Sequence, residues 1–347
     1  MSASRWLLTE HAPLRSRNTF GVAAQARYLL QVADLAALPE ALALPAVQGQ
    51  PLLPIGAGSN LLLAGDLDGV ALGFDARRID LLDDDEAGVR VRAEAGVVWH
   101  DLVLWTLAQG AFGLENLALI PGTVGACAIQ NVGAYGVEVG EHIDSVEAWD
   151  TRAGDWCRLS RAECAFGYRD SVFKRQPGRW IITAVTFALS RVPDLRLDYA
   201  GLRAELDAMG VAEPGPAEVA QAVIRVRSRK LPDPAVLGNA GSFFKNPIVP
   251  AALAERLAAD FPGLPVFPGD AADTRKLPAA WLIEQAGWKG RRDGDAGVSP
   301  DHALVLVNHG GASGAQLLAL ARRIAASVQA RFGVAIEPEP RIVGATW

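Results

Sequence analysis

Short runs of alternating apolar and polar positions dominate the first half of the chain. Val89–Ala95 reads VRVRAEA, with an apolar residue at every second position, which is the period of a half-buried strand. Arg27–Val32, Pro51–Ile55 and Gly69–Phe74 are predicted as further strands, with a helix near Asp34–Leu44. Val98–Gln109 has helical spacing and runs into Gly110, a stop signal. Ile143–Asp150 and Trp180–Leu189 continue the strand series. After Leu189 helices take over. Ala217–Arg229 places Val219, Ala222, Val223 and Val226 on one face, and Ala251–Asp260 and Ala279–Gly287 follow. Ala303–Val307 is predicted as a buried strand. Ser313 then caps an amphipathic helix with Leu317, Leu320, Ala321, Ile324 and Val328 on its apolar face and Gly333 at its end. Arg341–Val343 is predicted as a terminal strand. The whole reads as mixed α+β, without an internal repeat.

Three segments break this patterning. Gly113–Gly140 is glycine-rich and long, and loops of that length inside a compact chain are usually functional. Its apolar residues Leu117, Leu119, Ile120, Val124 and Ile129 imply packing. Pro51–Leu63 runs from a strand into Gly56-Ala57-Gly58-Ser59-Asn60, where glycines with Ser and Asn donors suit an anionic diphosphate. A hairpin turn is the plainer reading. It is neither the dinucleotide fingerprint, whose third glycine is missing, nor a P-loop. A second cradle is Pro121-Gly122-Thr123-Val124-Gly125, closely followed by Gln130-Asn131-Val132-Gly133-Ala134-Tyr135. The third segment, LPDPAVLGNAGSFFKNP (231–247), presents Ser242 at a small-residue turn flanked by Lys230, Lys245 and Asn246. Glycine there lets a ligand approach the main chain.

Composition narrows the function. The chain has 347 residues, half of them hydrophobic, enough for two or three domains. A net charge of −6 argues against a nucleic-acid binder. The acidic run Asp83–Glu86 is read as a solvated turn. The first twenty residues lack the apolar core of a secretory signal, and no apolar run is long enough to span a membrane. Cys127, Cys157 and Cys164 fit no metal or redox spacing, and their low, odd number suits a reducing cytoplasm. Cys127 is read as packing, and no histidine sits at metal-ligand spacing.

Taken in order, Asn18-Thr19-Phe20-Gly21, IGAGSNLLL (55–63), IPGTVGACAIQNVGAYGVEV (120–139), FGYRDSVFK (166–174), GNAGSFFKNP (238–247) and EPEPRIVG (337–344) resemble the UDP-N-acetylenolpyruvoylglucosamine reductase family, type I-like. The resemblance spans nearly the whole chain. It implies an FAD-binding fold of the vanillyl-alcohol-oxidase/PCMH type, with two α+β subdomains and a separate α+β substrate-binding domain. The implied boundaries are 1–75 (joined by 337–347), 76–231 and 232–336. It implies a cytoplasmic monomer of peptidoglycan precursor synthesis, and so of cell-wall biogenesis, cell shape and division. NADPH would reduce non-covalent FAD, and flavin N5 would deliver hydride to the enolpyruvyl group of a UDP-sugar, giving UDP-N-acetylmuramate. Gly56, Ala57, Gly58, Ser59, Asn60, Pro121, Gly122, Thr123, Gly125, Gln130, Asn131, Gly133, Ala134 and Tyr135 would hold the cofactor. Lys230 and Asn246 match positions that hold the substrate diphosphate, and Tyr199 resembles the tyrosine that one subgroup places over it.

The implied catalytic residues suit the chemistry. Hydride addition to C3 of the enol ether places negative charge at C2 and on the carboxylate. Arg169 can offer a planar fork to that carboxylate, Ser242 a proton to C2, and Glu339 can polarise or orient the clamp. Glu337 lies two residues from Glu339, and alternation on an extended segment leaves the two unseparated. Two other readings exist: an oxidase of sugars or alcohols on the same FAD fold, and a non-catalytic nucleotide-sugar-binding protein.

Overall fold

A computed structural model describes residues 4–85, 88–199 and 201–347. The chain divides into two compact units. The first comprises residues up to Ala12, Ala26–Ala57 and Asp68–Arg229; the second comprises Pro13–Gln25, Gly58–Leu67 and Lys230–Trp347.

The first unit is built on two sheets. In one, the strands Trp6–Pro13, Gln25–Val32, Leu67–Phe74 and Leu52–Pro54 lie in that spatial order, the last two parallel with Leu53 opposite Ala71. The other is antiparallel, in the order Asp155–Ser160, Ile143–Asp150, Trp180–Ser190, Gly88–Glu94 and Ile79–Asp84. Trp180–Ser190 is its central strand and is buried along most of its length. Ile181 joins the core that contains Leu30, Val70 and Leu72, while Ile182 and Phe187 join the core that contains Trp99, Leu102 and Val223. Cover on both faces explains why this strand reads as a nearly continuous apolar run. Gly88–Glu94, by contrast, alternates as its sequence predicts, with Val89, Val91 and Ala93 buried. Helix Trp99–Ala108 ends at Gln109, and Gly110 follows in the left-handed region with φ 66°.

Two expectations change here. Asp83 and Asp84 do not form a turn: they end the edge strand Ile79–Asp84, paired to Arg90 at 3.1 Å and Arg191 at 2.7 Å. Charges on an edge strand oppose pairing with other chains. Glu86, the last residue of that acidic run, lies outside the described residues. The predicted strands also miss Trp6–Pro13 and Asp155–Ser160, whose exposed polar positions mask the alternation.

In the second unit, the antiparallel strands Gly238–Ser242, Val305–Asn308, Ala296–Val298 and Arg292–Asp293 form one sheet. Helix Gly314–Phe332 has the predicted bounds, with a capping box between Ser313 and Gln316 and Gly333 left-handed at its end. Its apolar face is buried as expected. GNAGS, read as a turn, is an edge strand with a register irregularity between Asn239 and Ser242, and Gly241 has φ 66°. GAGSN is no hairpin either. The strand before it, Leu52–Pro54, pairs with Leu67–Phe74, whereas Leu61–Leu63 pairs in parallel with Arg341–Val343.

Phe187 is fully buried, with its ring centroid 6.0 Å from that of Trp99. Phe187→Ala is expected to cost about 3–5 kcal/mol, read as a lower urea midpoint of the transition that reports on the first unit; an unchanged midpoint would contradict this packing.

Candidate active site

In the first unit the two glycine-rich cradles meet. A Cβ added at Gly56 would lie 2.4 Å from Thr123 Oγ1, so this approach requires glycine. Gly125 is equally confined, since its Cβ would lie 2.7 Å from that of Ala95. The PGTVG turn is laced to the segment before helix Trp99–Ala108. Val124 N–H donates to Val97 O at 2.9 Å, Gly125 N–H to Ala95 O at 3.0 Å, and Trp99 N–H to Gly122 O at 3.1 Å. The Val124 and Gly125 amides are therefore committed to the fold. Thr123 is the N-cap residue of the short helix Val124–Cys127, yet its hydroxyl makes no capping bond. Ala57 and Pro121 are exposed, and Gly122 and Gln130 half-buried.

Gly133–Ala134 and Val137–Glu138 form a hairpin with Tyr135 and Gly136 at its tip, both at positive φ (50° and 84°). Such two-residue turns normally take Asn-Gly, so a tyrosine there is strained by about 1–3 kcal/mol. Gly167 and Asp170 close a second tight turn through mutual backbone hydrogen bonds of 3.0 Å, with Tyr168 and Arg169 between them. Arg169 has φ 53° where glycine is the usual choice. The two turns are tied together: Arg169 Nη2 donates to Gly133 O at 2.8 Å, and Asn131 Nδ2 donates to Gly167 O at 3.1 Å and Glu138 Oε2 at 2.6 Å. The Arg169 guanidinium also lies 5.5 Å from the Tyr168 ring centroid.

Tyr135 and Tyr199 are edge-to-face, with ring centroids 5.0 Å apart. Arg227 escapes sequence reasoning, which places it on the polar side of a helix. In the structure its side chain lies near that of Tyr135 and donates through Nε to Leu119 O at 3.3 Å. Burial pulls its pKa below the usual arginine value, opposed by Tyr135. No carboxylate stands within ion-pair distance of it among the described residues, so this sheltered cation suits an anionic ligand. Its only signal in the sequence is a position three residues before Lys230. Cys127 is buried, which pushes its thiol pKa up and suits packing rather than nucleophilic chemistry.

In the second unit, Ser242 ends the strand Gly238–Ser242, and the 337–339 segment lies against the three residues that follow it. Glu339 N–H donates to Phe243 O at 2.8 Å, Lys245 N–H donates to Glu337 O at 3.0 Å, and Phe244 bridges Pro338. This brings residues almost a hundred positions apart side by side. Glu337 is exposed, with Oε2 3.7 Å from Lys245 Nζ, whereas Glu339 is half-buried. The two glutamates that the sequence left unseparated therefore differ in environment. Asn60 Nδ2 reaches Glu339 O at 3.5 Å, and Arg341 N–H donates to Asn60 O at 3.0 Å. Gly58 lies against the Arg17 carbonyl, 2.1 Å from where its Cβ would be, and Ser59 is half-buried. Thr19 joins the motifs: its N–H donates to Gly58 O at 3.3 Å, and its carbonyl accepts from Asn239 N–H at 3.0 Å. Asn246 Oδ1 accepts from Ala279 N–H at 3.0 Å, capping helix Ala279–Gln285, a role the sequence did not reveal. Lys230 is exposed. Among the described residues no cluster of His, Cys, Asp and Glu could hold a metal ion.

Comparisons with known proteins agree along the chain. Residues 26–160 match the FAD binding domain family, and residues 233–343 match the UDP-N-acetylenolpyruvoylglucosamine reductase C-terminal domain family. The chain is 61% identical over 342 residues to the UDP-N-acetylenolpyruvoylglucosamine reductase of Xanthomonas axonopodis pv. citri (strain 306), covering 99% of this chain and 98% of that one. With the enzyme of that name from Xylella fastidiosa (strain 9a5c) it shares 58% over 342 residues, covering 99% and 97%. Among solved structures, UDP-N-acetylenolpyruvylglucosamine reductase (MurB) from Thermus caldophilus is 25% identical with a TM-score of 0.65, covering 98% of this chain and 99% of that one. A solvent-stable cholesterol oxidase, 12% identical with a TM-score of 0.50 over 96% and 87%, shares the fold alone. The α+β class and the FAD-binding fold expected from the sequence stand.

Two outcomes test this geometry. Gly56→Ala is expected to destabilise by about 1–3 kcal/mol, and by clearly less in a Thr123→Ala background, where the obstructing hydroxyl is gone. Equal losses in both backgrounds would place the obstruction elsewhere. Burial also lowers the pKa of His100, His142 and His302 below the ordinary 6.5. The unfolded chain then takes up protons before the folded one, so this stability is complete above pH 6.5 and is lost as pH falls toward the folded values. Tm is expected to fall between about pH 7.5 and 5.5; a flat Tm would contradict these environments.

Proposed function

The chain belongs to the UDP-N-acetylenolpyruvoylglucosamine reductase family, and we propose that it reduces the enolpyruvyl ether of UDP-N-acetylglucosamine to UDP-N-acetylmuramate. The observation that carries the division of labour is the pairing of the Glu339 segment with Phe243–Lys245, directly after Ser242. It gathers a hydroxyl-bearing and a carboxyl-bearing segment in one unit, beside Lys245 and Asn60.

The residues fit FAD. Two glycine turns touch where side chains could not, the Thr123 hydroxyl makes no capping bond, and Arg227 offers a cation with no ion-paired carboxylate among the described residues. In the first unit, Gly56, Ala57, Pro121, Gly122, Thr123, Gly125, Gln130, Asn131, Gly133, Ala134 and Tyr135 would hold it. Val124–Gly125 and Asn131 serve by shaping the turns, since their polar groups are engaged within the protein. FAD held there would supply the hydride that the enolpyruvyl double bond needs, with NADPH as the electron donor.

Arg169 binds the substrate carboxylate and stabilises the charge that grows on it. Its left-handed backbone and its bond to Gly133 hold the guanidinium in place. Ser242 gives its proton to C2, completing addition of two hydrogens across the double bond, and regains one from solvent. Glu339 orients the clamp. Lys230 and Asn246 bind the diphosphate, Asn246 through its amide nitrogen while its oxygen caps a helix, and Tyr199 covers it. We further propose a cytoplasmic monomer, with cofactor subdomains at 1–75 plus 337–347 and 76–231 and a substrate domain at 232–336. No helix among the described residues is long and apolar enough to cross a membrane.

Ser242→Ala is expected to leave flavin reduction by NADPH within about twofold and to slow reoxidation by substrate by roughly two to four orders of magnitude; equal loss in both half-reactions would remove Ser242 from the acid role. Arg169→Lys keeps the charge but loses the fork, and turnover should fall about 100-fold. Near-normal turnover would sink the carboxylate clamp.

A further inference from the structure

Asn116 lies in the 3-10 turn Glu115–Leu117 and is 1% exposed. A carboxamide has two N–H protons, and both are accounted for: Nδ2 donates to Tyr135 O at 2.9 Å and to Arg196 O at 2.8 Å. The first acceptor is the tip of the strained hairpin, where Tyr135 stands at φ 50°. The second belongs to the irregular segment after Ser190, three residues before Tyr199. One buried side chain thus fixes the backbone beneath both members of the Tyr135–Tyr199 ring pair. At the other end of Tyr135, the Arg227 side chain stands near the ring. The Tyr135 ring is half-buried, whereas Tyr199 is 46% exposed and depends on how its segment is anchored.

We propose that Asn116 is a positioning residue for the reaction, setting the spacing of Tyr135 and Tyr199 and so the affinity for the UDP-sugar substrate. This rests on the reading above, in which Tyr199 covers the substrate diphosphate. Asn116 acts through these two carbonyl groups. Without its donors, the Tyr135 and Arg196 carbonyls lose their shared partner, the hairpin tip is freed to relax from its left-handed turn, and the 191–199 segment loosens.

Asn116→Asp tests this, because it keeps shape and volume but turns the donor into an acceptor facing two carbonyls. KM for the enolpyruvyl substrate should rise about tenfold or more, kcat should fall less than about threefold, and flavin reduction by NADPH should stay within about twofold. Trypsin cleavage after Arg196 of the intact holoenzyme should quicken about tenfold. In a Tyr199→Ala background the same substitution should change KM less than about twofold, because the residue through which it acts is gone. Wild-type KM and cleavage rates would overturn the proposal, as would a KM effect undiminished in the Tyr199→Ala background or a parallel loss in both half-reactions. Should Asn116→Asp not fold, Asn116→Ser carries the same measurements. Failure of the function itself is separate: wild-type protein would then not turn over the UDP-sugar, while the proteolysis rates would still report the hold of Asn116 on the segment.

Discussion

A buried backbone carbonyl must find a donor, and where no sheet or helix supplies one this protein uses the side chain of asparagine. Asn18 donates to Leu14 O and Val22 O, Asn239 to Pro232 O and Leu237 O, and Asn308 to Phe20 O and Ala312 O. Asn116 and Asn131 play the same part in the first unit. All five are at most 5% exposed. The irregular turns that carry the proposed chemistry exist because these carboxamides replace regular hydrogen-bond ladders. A carboxamide suits the task because it can hold two carbonyls, or a carbonyl and an amide, at once without bringing a charge into the interior.

From those clamps follow the strained residues. Tyr135 and Arg169 occupy turn positions that glycine would fill at lower energy, and each is over-determined by its surroundings. The Gly167–Asp170 hydrogen bonds and the Arg169–Gly133 contact hold one; Asn116 and the hairpin pairing of Gly133 with Glu138 hold the other. Such rigidity is what a site needs when it must stabilise charge that appears only during the reaction. Glycine serves the complementary purpose at Gly56 and Gly125, where absence of a side chain lets turns approach.

Periodic elements were legible in the sequence. Ile143–Asp150, Ala251–Asp260 and the Ser313-capped helix have the expected bounds, because burial of one face imposes a period on them. Gly238–Ser242 was not legible as a strand: Gly, Asn, Ala, Gly and Ser carry no apolar alternation, and pairing with Val305–Asn308 makes the strand. The candidate residues were found through ordered motifs, but their supports were hidden. Asn116 and Asn131 sit in a glycine-rich stretch, where asparagine ordinarily signals a turn. Arg227 reads as a solvated helix position until tertiary packing shelters it. Glu337 and Glu339 became distinct only when the 337–339 segment paired with Phe243–Lys245.

An anaerobic absorbance titration of the purified protein separates the two half-reactions. Flavin absorbance is expected that NADPH bleaches and that UDP-N-acetylglucosamine enolpyruvate then restores without oxygen. Absorbance that bleaches but returns only on admitting oxygen would contradict the reductase account, and so would a protein that holds no flavin even after addition of FAD.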